Sequence, residues 1–494
     1  MKIQELMRGT EYEIVQQGDA DDITSVVIDS RKAKAGCLFV CIRGLNVDGH
    51  RFINDVNAAG AAAVLIDEKQ EAYPPGLTVV KVSQTRVALC AVAANFYGNP
   101  GDRMRLVGIT GTNGKTSTAY FLETILDTAG RKTGVIGTIG TRVGDEAVEI
   151  PFDTSTTPDT LELMEILSRM RELGAEDVVM EVSSHALSLN KVDGLRFEAG
   201  ILTNITQDHL DFHGTMENYR EAKERLFTLC RFGIVNADDE SAAIVTRGKR
   251  CGFTTYGLEK DCDLKAVHIE YLPEGSSFDI EIDGAAEHFY LPAKGRFNIY
   301  NCLAAIGAAL SLNVPVADIR RGVARIQVVP GRIQNIENNL KDIHVLVDYA
   351  HTPDGLVSVI NAVREFTKGR VVTLFGCGGD KDKSKRPMMG RIAGELSDYC
   401  VLTSDNPRSE QPEDILKQIE KGITDTNCPY QVFVNRKDAI RAGVMLLEEG
   451  DSLIIAGKGH EDYQIIGGMT IHFDDVETAR EILREKEDAG SRKK

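Results

Sequence analysis

Apolar residues in this chain gather in short runs, with longer amphipathic stretches between them. The runs Val26-Val27-Ile28, Leu38-Phe39-Val40 and Ala63-Val64-Leu65-Ile66 predict strands, and the spacing over 51–59 and 85–97 predicts helices. Gly98-Asn99-Pro100-Gly101 interrupts both patterns and marks a boundary. A second series follows, with strands over 106–109, 134–139, 178–181 and 200–204 and a helix over 161–173 stopped by Gly174. Strands that are apolar throughout and alternate with helices belong to a parallel sheet covered on both faces. Over 250–292 the pattern shortens and alternates, as in Phe278-Asp279-Ile280-Glu281-Ile282, which predicts a small antiparallel sheet; an Ala-rich helix follows over 298–310. A second break spans 331–341. Beyond it come strands over 344–347, 371–375, 400–403, 431–434 and 453–456, again separated by helical spacing. The fold class predicted is α/β in three domains, 1–102, 103–335 and 336–494. The central one has a P-loop-type parallel sheet with a small antiparallel sheet, and the last is Rossmann-like. The charged tail over 485–494 is expected to be disordered.

Composition narrows the partners. A length of 494 residues suits about three domains. A net charge of −17 argues against a nucleic-acid partner, so an anionic substrate must be met by local positive charge. The ten cysteines are scattered without a CxxC pair, the pattern of reduced thiols in a cytoplasm. The first residues hold no apolar signal core, and no window approaches the roughly 20 apolar residues of a membrane span. Membrane insertion is not expected, and the expected location is cytoplasmic.

The candidate chemistry lies at strand ends, where open α/β sheets bind ligands. The run 106–109 ends in Thr110-Gly111-Thr112-Asn113-Gly114-Lys115-Thr116-Ser117, and a helical pattern follows. The glycines let backbone N–H groups approach phosphate oxygens, Lys115 can reach the β and γ phosphates, and Thr116 offers a hydroxyl to Mg²⁺. The strict P-loop spacing is not met, because its first glycine falls at Ile109. The loop therefore points to ATP without saying which reaction ATP serves. Glu181-Val182-Ser183-Ser184-His185 closes the next strand; Glu181 suits Mg²⁺, and Ser183 or Ser184 suits a helix N-cap. In Asn204-Ile205-Thr206-Gln207-Asp208-His209-Leu210-Asp211-Phe212-His213 one histidine can complete a Mg²⁺ site, whereas zinc spacing is lacking and His213 can simply pack at a helix start. Residues 219–225, by their charges alone, read as a solvated helix face with i,i+4 pairs. The last domain adds polar strand endings at Asp348-Tyr349-Ala350-His351, Gly376–Lys383, Asp405-Asn406-Pro407-Arg408 and Gly457-Lys458-Gly459-His460-Glu461. Together they suggest a cleft facing the ATP-binding domain.

These segments together resemble the Mur ligases, ATP-dependent amino-acid ligases of peptidoglycan precursor synthesis. The likeness runs over nearly the whole chain: GTNGKT, EVSSHAL, TNITQDHLDFHG, the EAK of Glu221 to Lys223, the helix around Asn298 and Asn301, PGR at Pro330 to Arg332, DYAHTPD, GCGGDKDKSKRP, DNPR and GKGHEDYQ. The resemblance implies a first domain for a UDP-sugar, a second for ATP and a third for the incoming amino acid. It implies a carbamylated Lys223 that helps to hold a second Mg²⁺, with Glu181 and His209 as metal ligands and Thr116 on the nucleotide-bound Mg²⁺. Asn301, Arg332 and Asp348 match positions that hold the ATP base and ribose or align its phosphates. Ser30 matches the uridine contact, and Thr156, Thr157 and Ser183 match contacts to the muramoyl-dipeptide.

DNPR marks family members that select diaminopimelate. Arg408 would pair with the distal carboxylate, and Gly457 and Glu461 with the distal amino–carboxyl centre. Lys191 and Lys381 stand where relatives often carry arginine; lysine keeps the charge and loses the bidentate fork. The implied substrates are UDP-N-acetylmuramoyl-L-Ala-D-Glu, ATP and meso-diaminopimelate, joined through an acyl-phosphate. Two rivals share the loop: a lysine-adding or folylpolyglutamate-type ligase, and a binding module switched by ATP.

Overall fold

The computed structural model describes residues 1–491 except 21, 45–46, 153–155, 248–250, 273 and 328. Among the described residues, the N-terminal sheet has five strands in the order Glu13–Gln16, Thr78–Lys81, Ala63–Ile66, Cys37–Val40, Ser25–Val27. All neighbours are parallel except the first pair. Alternation sorts the side chains: Leu38, Val40 and Leu65 pack with Ala88, Leu89 and Val92 of helix Thr85–Phe96, while Phe39, Val64 and Ile66 pack on the other face. Glu13–Gln16 and Thr78–Lys81 escape the sequence pattern, the first because it is an edge strand with no buried residue.

The central sheet has nine described strands, ordered Leu264–Lys265, Gly252–Gly257, Cys230–Asn236, Phe197–Leu202, Arg105–Thr110, Asp177–Glu181, Thr133–Gly137, Gly140–Val143, Glu146–Ala147. It is parallel up to Thr133–Gly137, and a hairpin closes that edge antiparallel. Leu106 faces one core and Val107 and Ile109 the other, as expected for a strand covered by helices on both sides. Arg105–Thr110 lies at the switch point, because the chain leaves it first toward one side of the sheet and later toward the other.

The antiparallel prediction over 250–292 needs one correction. Gly252–Gly257 pairs parallel with Cys230–Asn236 and extends the central sheet. The small antiparallel sheet comprises Val267–Leu272, Gly275–Ile282 and Ala285–Leu291. Its Phe278, Ile280 and Phe289 share a core with helices Lys115–Thr128 and Arg296–Ser311.

The last sheet runs Gln334–Asn335, His344–Asp348, Ser452–Ala456, Val371–Phe375, Tyr399–Thr403, Tyr430–Phe433, with only the first strand antiparallel among those described. A hairpin, Tyr463–Ile466 with Met469–His472, stands apart from it. The expected disordered tail is instead the end of a helix, Asp475–Ser491, whose Ala479, Ile482 and Leu483 pack on the sheet; the heavy charge sits on its other faces. Residues 492–494 lie outside the described residues.

Candidate active site

A cavity of about 700 Å³ opens where the ends of the central and last sheets meet. Its floor is the loop after Arg105–Thr110. Gly111 stands at φ 146°, and a Cβ there would lie 1.8 Å from Thr203 Oγ1; Gly114 stands at φ 86°, and a Cβ would lie 2.3 Å from Asn301 Oδ1. Both positions require glycine. Asn204 fixes the loop, accepting from Thr112 N at 2.8 Å through its carbonyl and from Asn113 N at 2.9 Å through Oδ1. Helix Lys115–Thr128 begins at the cavity wall, where Gly114, Lys115, Thr116 and Ser117 line the space. A helix N-terminus on a cleft suits an anion. Lys115 Nζ folds back onto the carbonyls of Gly111 and Thr112, each at 2.9 Å. Burial lowers the Lys115 pKa, against the pull of Glu181.

Glu181 ends the neighbouring strand and is 1 % exposed. Its carboxylate accepts from Thr116 Oγ1 at 3.0 and 3.1 Å, from Thr138 N at 2.9 Å and from Thr138 Oγ1 at 3.2 Å. The Thr116 hydroxyl also accepts from Arg332 Nη2 at 3.1 Å. Thr116 and Glu181 thus offer clustered oxygens beside the phosphate loop, the donor type that Mg²⁺ takes. Among the described residues no three His, Cys, Asp or Glu side chains converge as a metal cage.

Opposite lies a cluster the sequence reading saw only in part. Asp208, 4 % exposed, stands 3.4 Å from His209 Nε2, 3.4 Å from Lys385 Nζ and 4.0 Å from His351 Nε2. Burial pushes its carboxyl up, but the charge of Lys385 leads the opposing interactions, which hold it below the usual range. Burial pushes the other way on the histidines: His209 falls to about 3 and His351 to about 4, so both rings are neutral at pH 7. His213 Nε2 meets Ser184 Oγ at 3.0 Å, the packing role allowed for it.

Lys223 departs most from its reading as a solvated face. It is 2 % exposed on helix Met216–Glu224. Its Nζ donates to Gly111 O at 2.8 Å and sits 4.5 Å from the Tyr219 ring centre. Burial, then the charge of Lys115, lowers its pKa well below that of ordinary lysine. The i,i+4 pairing survives in Arg220–Glu224, at 3.5 Å.

On the far wall Asn301 Oδ1 accepts from Thr118 Oγ1 at 3.4 Å. Asp348 accepts from Ile333 N at 2.8 Å and Ala350 N at 2.7 Å, and burial raises its pKa. The Arg332 guanidinium lies 4.7 Å above the Tyr349 ring. Arg296, Phe297 and Tyr300 also line this side, and sequence reasoning missed them because their helix reads simply as Ala-rich core.

Toward the last sheet, Arg408 lines the cavity with φ 54°. Its Nη1 donates to Gly379 O at 2.9 Å and Asn406 O at 3.3 Å, and it makes no ion pair among the described residues. Glu461 accepts from Asn406 Nδ2 at 2.9 Å and Lys458 Nζ at 3.2 Å; burial, then Asp405, raises its pKa. Gly457, Asp405 and Lys381 line the same space, and Pro407 belongs to the Arg408 turn.

Not every anticipated residue reaches the cavity. Thr156 does, 3.4 Å from Thr138 Oγ1. Thr157 accepts from Ser183 N at 3.0 Å and donates to Glu181 O at 2.9 Å, while Ser183 caps helix Ser184–Ser188. Lys191 lies outside it, 3.2 Å from Asp159, which Arg86 grips from the N-terminal part at 2.8 Å. Ser30 stands on the N-terminal sheet in the turn Ser30–Lys32, capped by Asp29.

Three family models match the chain: "Mur ligase family, catalytic domain" over 22–97, "Mur ligase middle domain" over 109–309, and "Mur ligase, glutamate ligase domain" over 331–459. The chain is 43% identical to a UDP-N-acetylmuramoyl-L-alanyl-D-glutamate–2,6-diaminopimelate ligase of Clostridium acetobutylicum, covering 98% of this chain and 100% of that protein. A solved structure of a ligase with the same name superposes with TM-score 0.69 at 28% identity, covering 99% of each chain. MurF ligase from Thermotoga maritima in complex with ADP shares the fold, with TM-score 0.63 at 18% identity, over 94% of this chain and 98% of its own.

Proposed function

The chain belongs to the Mur ligase family, and we infer from this that it is an ATP-dependent ligase adding meso-2,6-diaminopimelate to the D-Glu carboxylate of UDP-N-acetylmuramoyl-L-Ala-D-Glu. Likeness to diaminopimelate ligases over the whole length carries this reading. Arg408 on the cavity wall, which makes no ion pair among the described residues, supports the choice of amino acid. Diaminopimelate has one carboxylate more than lysine, and a site built around Arg408 leaves that cation unmatched when lysine enters. The lysine-adding, folylpolyglutamate-type and ATP-switch readings are not favoured.

The proposed division of labour is a UDP-sugar domain over 1–102, an ATP domain over 103–335 and an amino-acid domain over 336–494. Gly111 to Ser117 would cradle the phosphates, with Lys115 leaving its loop carbonyls to meet them. Asn301, Asp348 and Arg332 would hold the base and ribose or align the phosphates. The D-Glu side-chain carboxylate attacks the γ-phosphorus of ATP, its bond to the β–γ bridging oxygen breaks, and ADP leaves. The diaminopimelate amine attacks the resulting acyl-phosphate, loses a proton, and phosphate departs as the amide forms. Phosphoryl transfer of this kind depends on positioning and charge neutralisation more than on a covalent nucleophile. Thr116 and Glu181 would hold one Mg²⁺, and His209 with Lys223, carbamylated, a second; two such cations would neutralise charge developing on the phosphoryl group. Carbamylation needs a neutral amine, and the burial of Lys223 favours that form. Ser30, Thr156, Thr157, Ser183 and Lys191 would hold the UDP-muramoyl-dipeptide, and Lys381, Asp405, Asn406, Pro407, Arg408, Gly457 and Glu461 the diaminopimelate end of the site.

The deciding experiment measures phosphate release with UDP-muramoyl-dipeptide, ATP and either diaminopimelate or lysine. Turnover should require the dipeptide and diaminopimelate. Equal use of lysine, or nucleotide binding without amide formation, would overturn the reading. Arg408→Ala should weaken diaminopimelate by about 2–5 kcal/mol, the usual effect of removing one partner of a buried charged pair, and should erase selection against lysine. An unchanged diaminopimelate/lysine ratio of kcat/KM would count against the role of Arg408.

A further inference from the structure

The turn that presents Arg408 is held in part from outside, by the hairpin Tyr463–Ile466 with Met469–His472. Arg408 stands at φ 54°, a left-handed conformation unfavourable for a residue with a side chain. Its backbone is claimed on both sides by the separate hairpin: Arg408 N donates to Ile465 O at 3.0 Å, and Gly467 N donates to Arg408 O at 2.9 Å. The preceding residues are claimed as well. Ile465 N donates to Asn406 Oδ1 at 3.0 Å, and Gln464 Nε2 donates to Asp405 O at 2.7 Å. Gln464 is 5 % exposed between half-buried Tyr463 and Ile465 on a strand that is not part of the main sheet. A buried amide on such a strand is costly unless its hydrogen bond is made. Of the contacts among the described residues that seat the hairpin on the turn, this is the one made by a buried side chain of the hairpin itself.

We propose that Gln464 is a positioning residue for amino-acid selection: it locks the hairpin Tyr463–Ile466/Met469–His472 onto the turn Asp405 to Arg408, and so aims the Arg408 guanidinium into the cavity. This rests on the reading of Arg408 given above. Gln464 acts through the turn and does not touch substrate. Loss of its bond lets the hairpin slip and frees Arg408 to leave its left-handed conformation, so the defect falls on recognition of the distal carboxylate and not on phosphoryl transfer.

The test compares the wild-type enzyme with Gln464→Met, which keeps volume and removes the donor, and Gln464→Glu, which sets an acceptor against the Asp405 carbonyl. For both variants the KM for diaminopimelate should rise about tenfold, the factor that about 1.4 kcal/mol represents. The kcat at saturating diaminopimelate should stay within about twofold, the KM values for ATP and the UDP-muramoyl-dipeptide should not move, and the diaminopimelate/lysine kcat/KM ratio should fall by about the same factor. An unchanged diaminopimelate KM and ratio in either folded variant overturns the proposal. So does an equal rise in all three KM values, which would mark general loosening. If the wild-type enzyme itself fails to use diaminopimelate, the reading of function fails, an outcome distinct from these.

Discussion

Lys223 shows what a single position can hide. Its stretch, Tyr219 to Arg225, reads by charge as a solvated face, yet Tyr219, Ala222 and Lys223 are buried together. In a helix of nine residues, periodicity cannot say which charged position turns inward, because its apolar stripe is only Met216, Tyr219 and Ala222. The inward amine finds Gly111 O at 2.8 Å, an acceptor 112 positions away in sequence, which no local pattern contains. Only the family resemblance marked this lysine in advance. Lys223→Ala should reduce ligase turnover by two orders of magnitude or more, on the order of losing one preorganised electrostatic group. Short carboxylates added to that variant should restore part of it, by replacing the anionic oxygens of the proposed carbamate. Wild-type turnover in Lys223→Ala would refute the role. Depression of the amine pKa by burial means that more neutral amine is present at a given pH, so modification should persist to lower pH than a solvated lysine would allow.

Elements were more legible than their edges. Ala63–Ile66 and Val371–Phe375 match the sequence pattern because they are central strands buried on both faces. Glu13–Gln16 carried no such signal, being an exposed edge. Gly252–Gly257 was assigned to the wrong sheet, because it is half-buried over most of its length and has no continuous apolar run to mark a strand of the parallel sheet. The polar strand endings were visible as motifs, but not the girder beneath them. Arg436, 0 % exposed, pairs with Asp475 at 2.7 Å and donates to the carbonyls of Ser404 at 3.2 Å and Ala456 at 3.0 Å. It thereby ties together the ends of Tyr399–Thr403 and Ser452–Ala456, from which the Asp405–Arg408 turn and the Gly457–Glu461 loop emerge. Asp475→Ala leaves this guanidinium buried without its carboxylate, a change that costs about 3–5 kcal/mol. The denaturation midpoint should fall accordingly, and the KM for diaminopimelate should rise more than that for ATP. A midpoint within error of wild type would remove the girder from the account.

At the scale of the whole molecule, polar contacts help to draw the central sheet toward the last sheet and the segment that leads into it. Lys385 Nζ meets Asp208 at 3.4 Å, Arg332 meets Thr116 at 3.1 Å, Thr352 Oγ1 meets Asn113 Oδ1 at 3.3 Å, and Gln207 meets Ser384 at 3.2 Å. Each joins residues more than 170 positions apart, so sequence periodicity is blind to all of them, although Lys385 and Asp208 stand inside motifs that were quoted. A closed cavity matters for the proposed chemistry, because an acyl-phosphate open to solvent hydrolyses. Lys385→Met should weaken closure without touching the phosphate loop. The expected signature is uncoupling: phosphate released should exceed amide formed, with a ratio rising above one as diaminopimelate is lowered. A ratio fixed at one across diaminopimelate concentrations would show that this pair does not guard the intermediate.

The Gly111 carbonyl accepts from both Lys115 Nζ and Lys223 Nζ. A nucleotide phosphate that meets Lys115 therefore has to replace bonds the loop already makes to itself. A visiting anion gains only the difference between its own hold on Lys115 and that of the neutral carbonyls it displaces. Singly charged ions recover little from that trade, whereas a polyphosphate recovers much. The loop thus screens its visitors by charge density before any base or sugar is read.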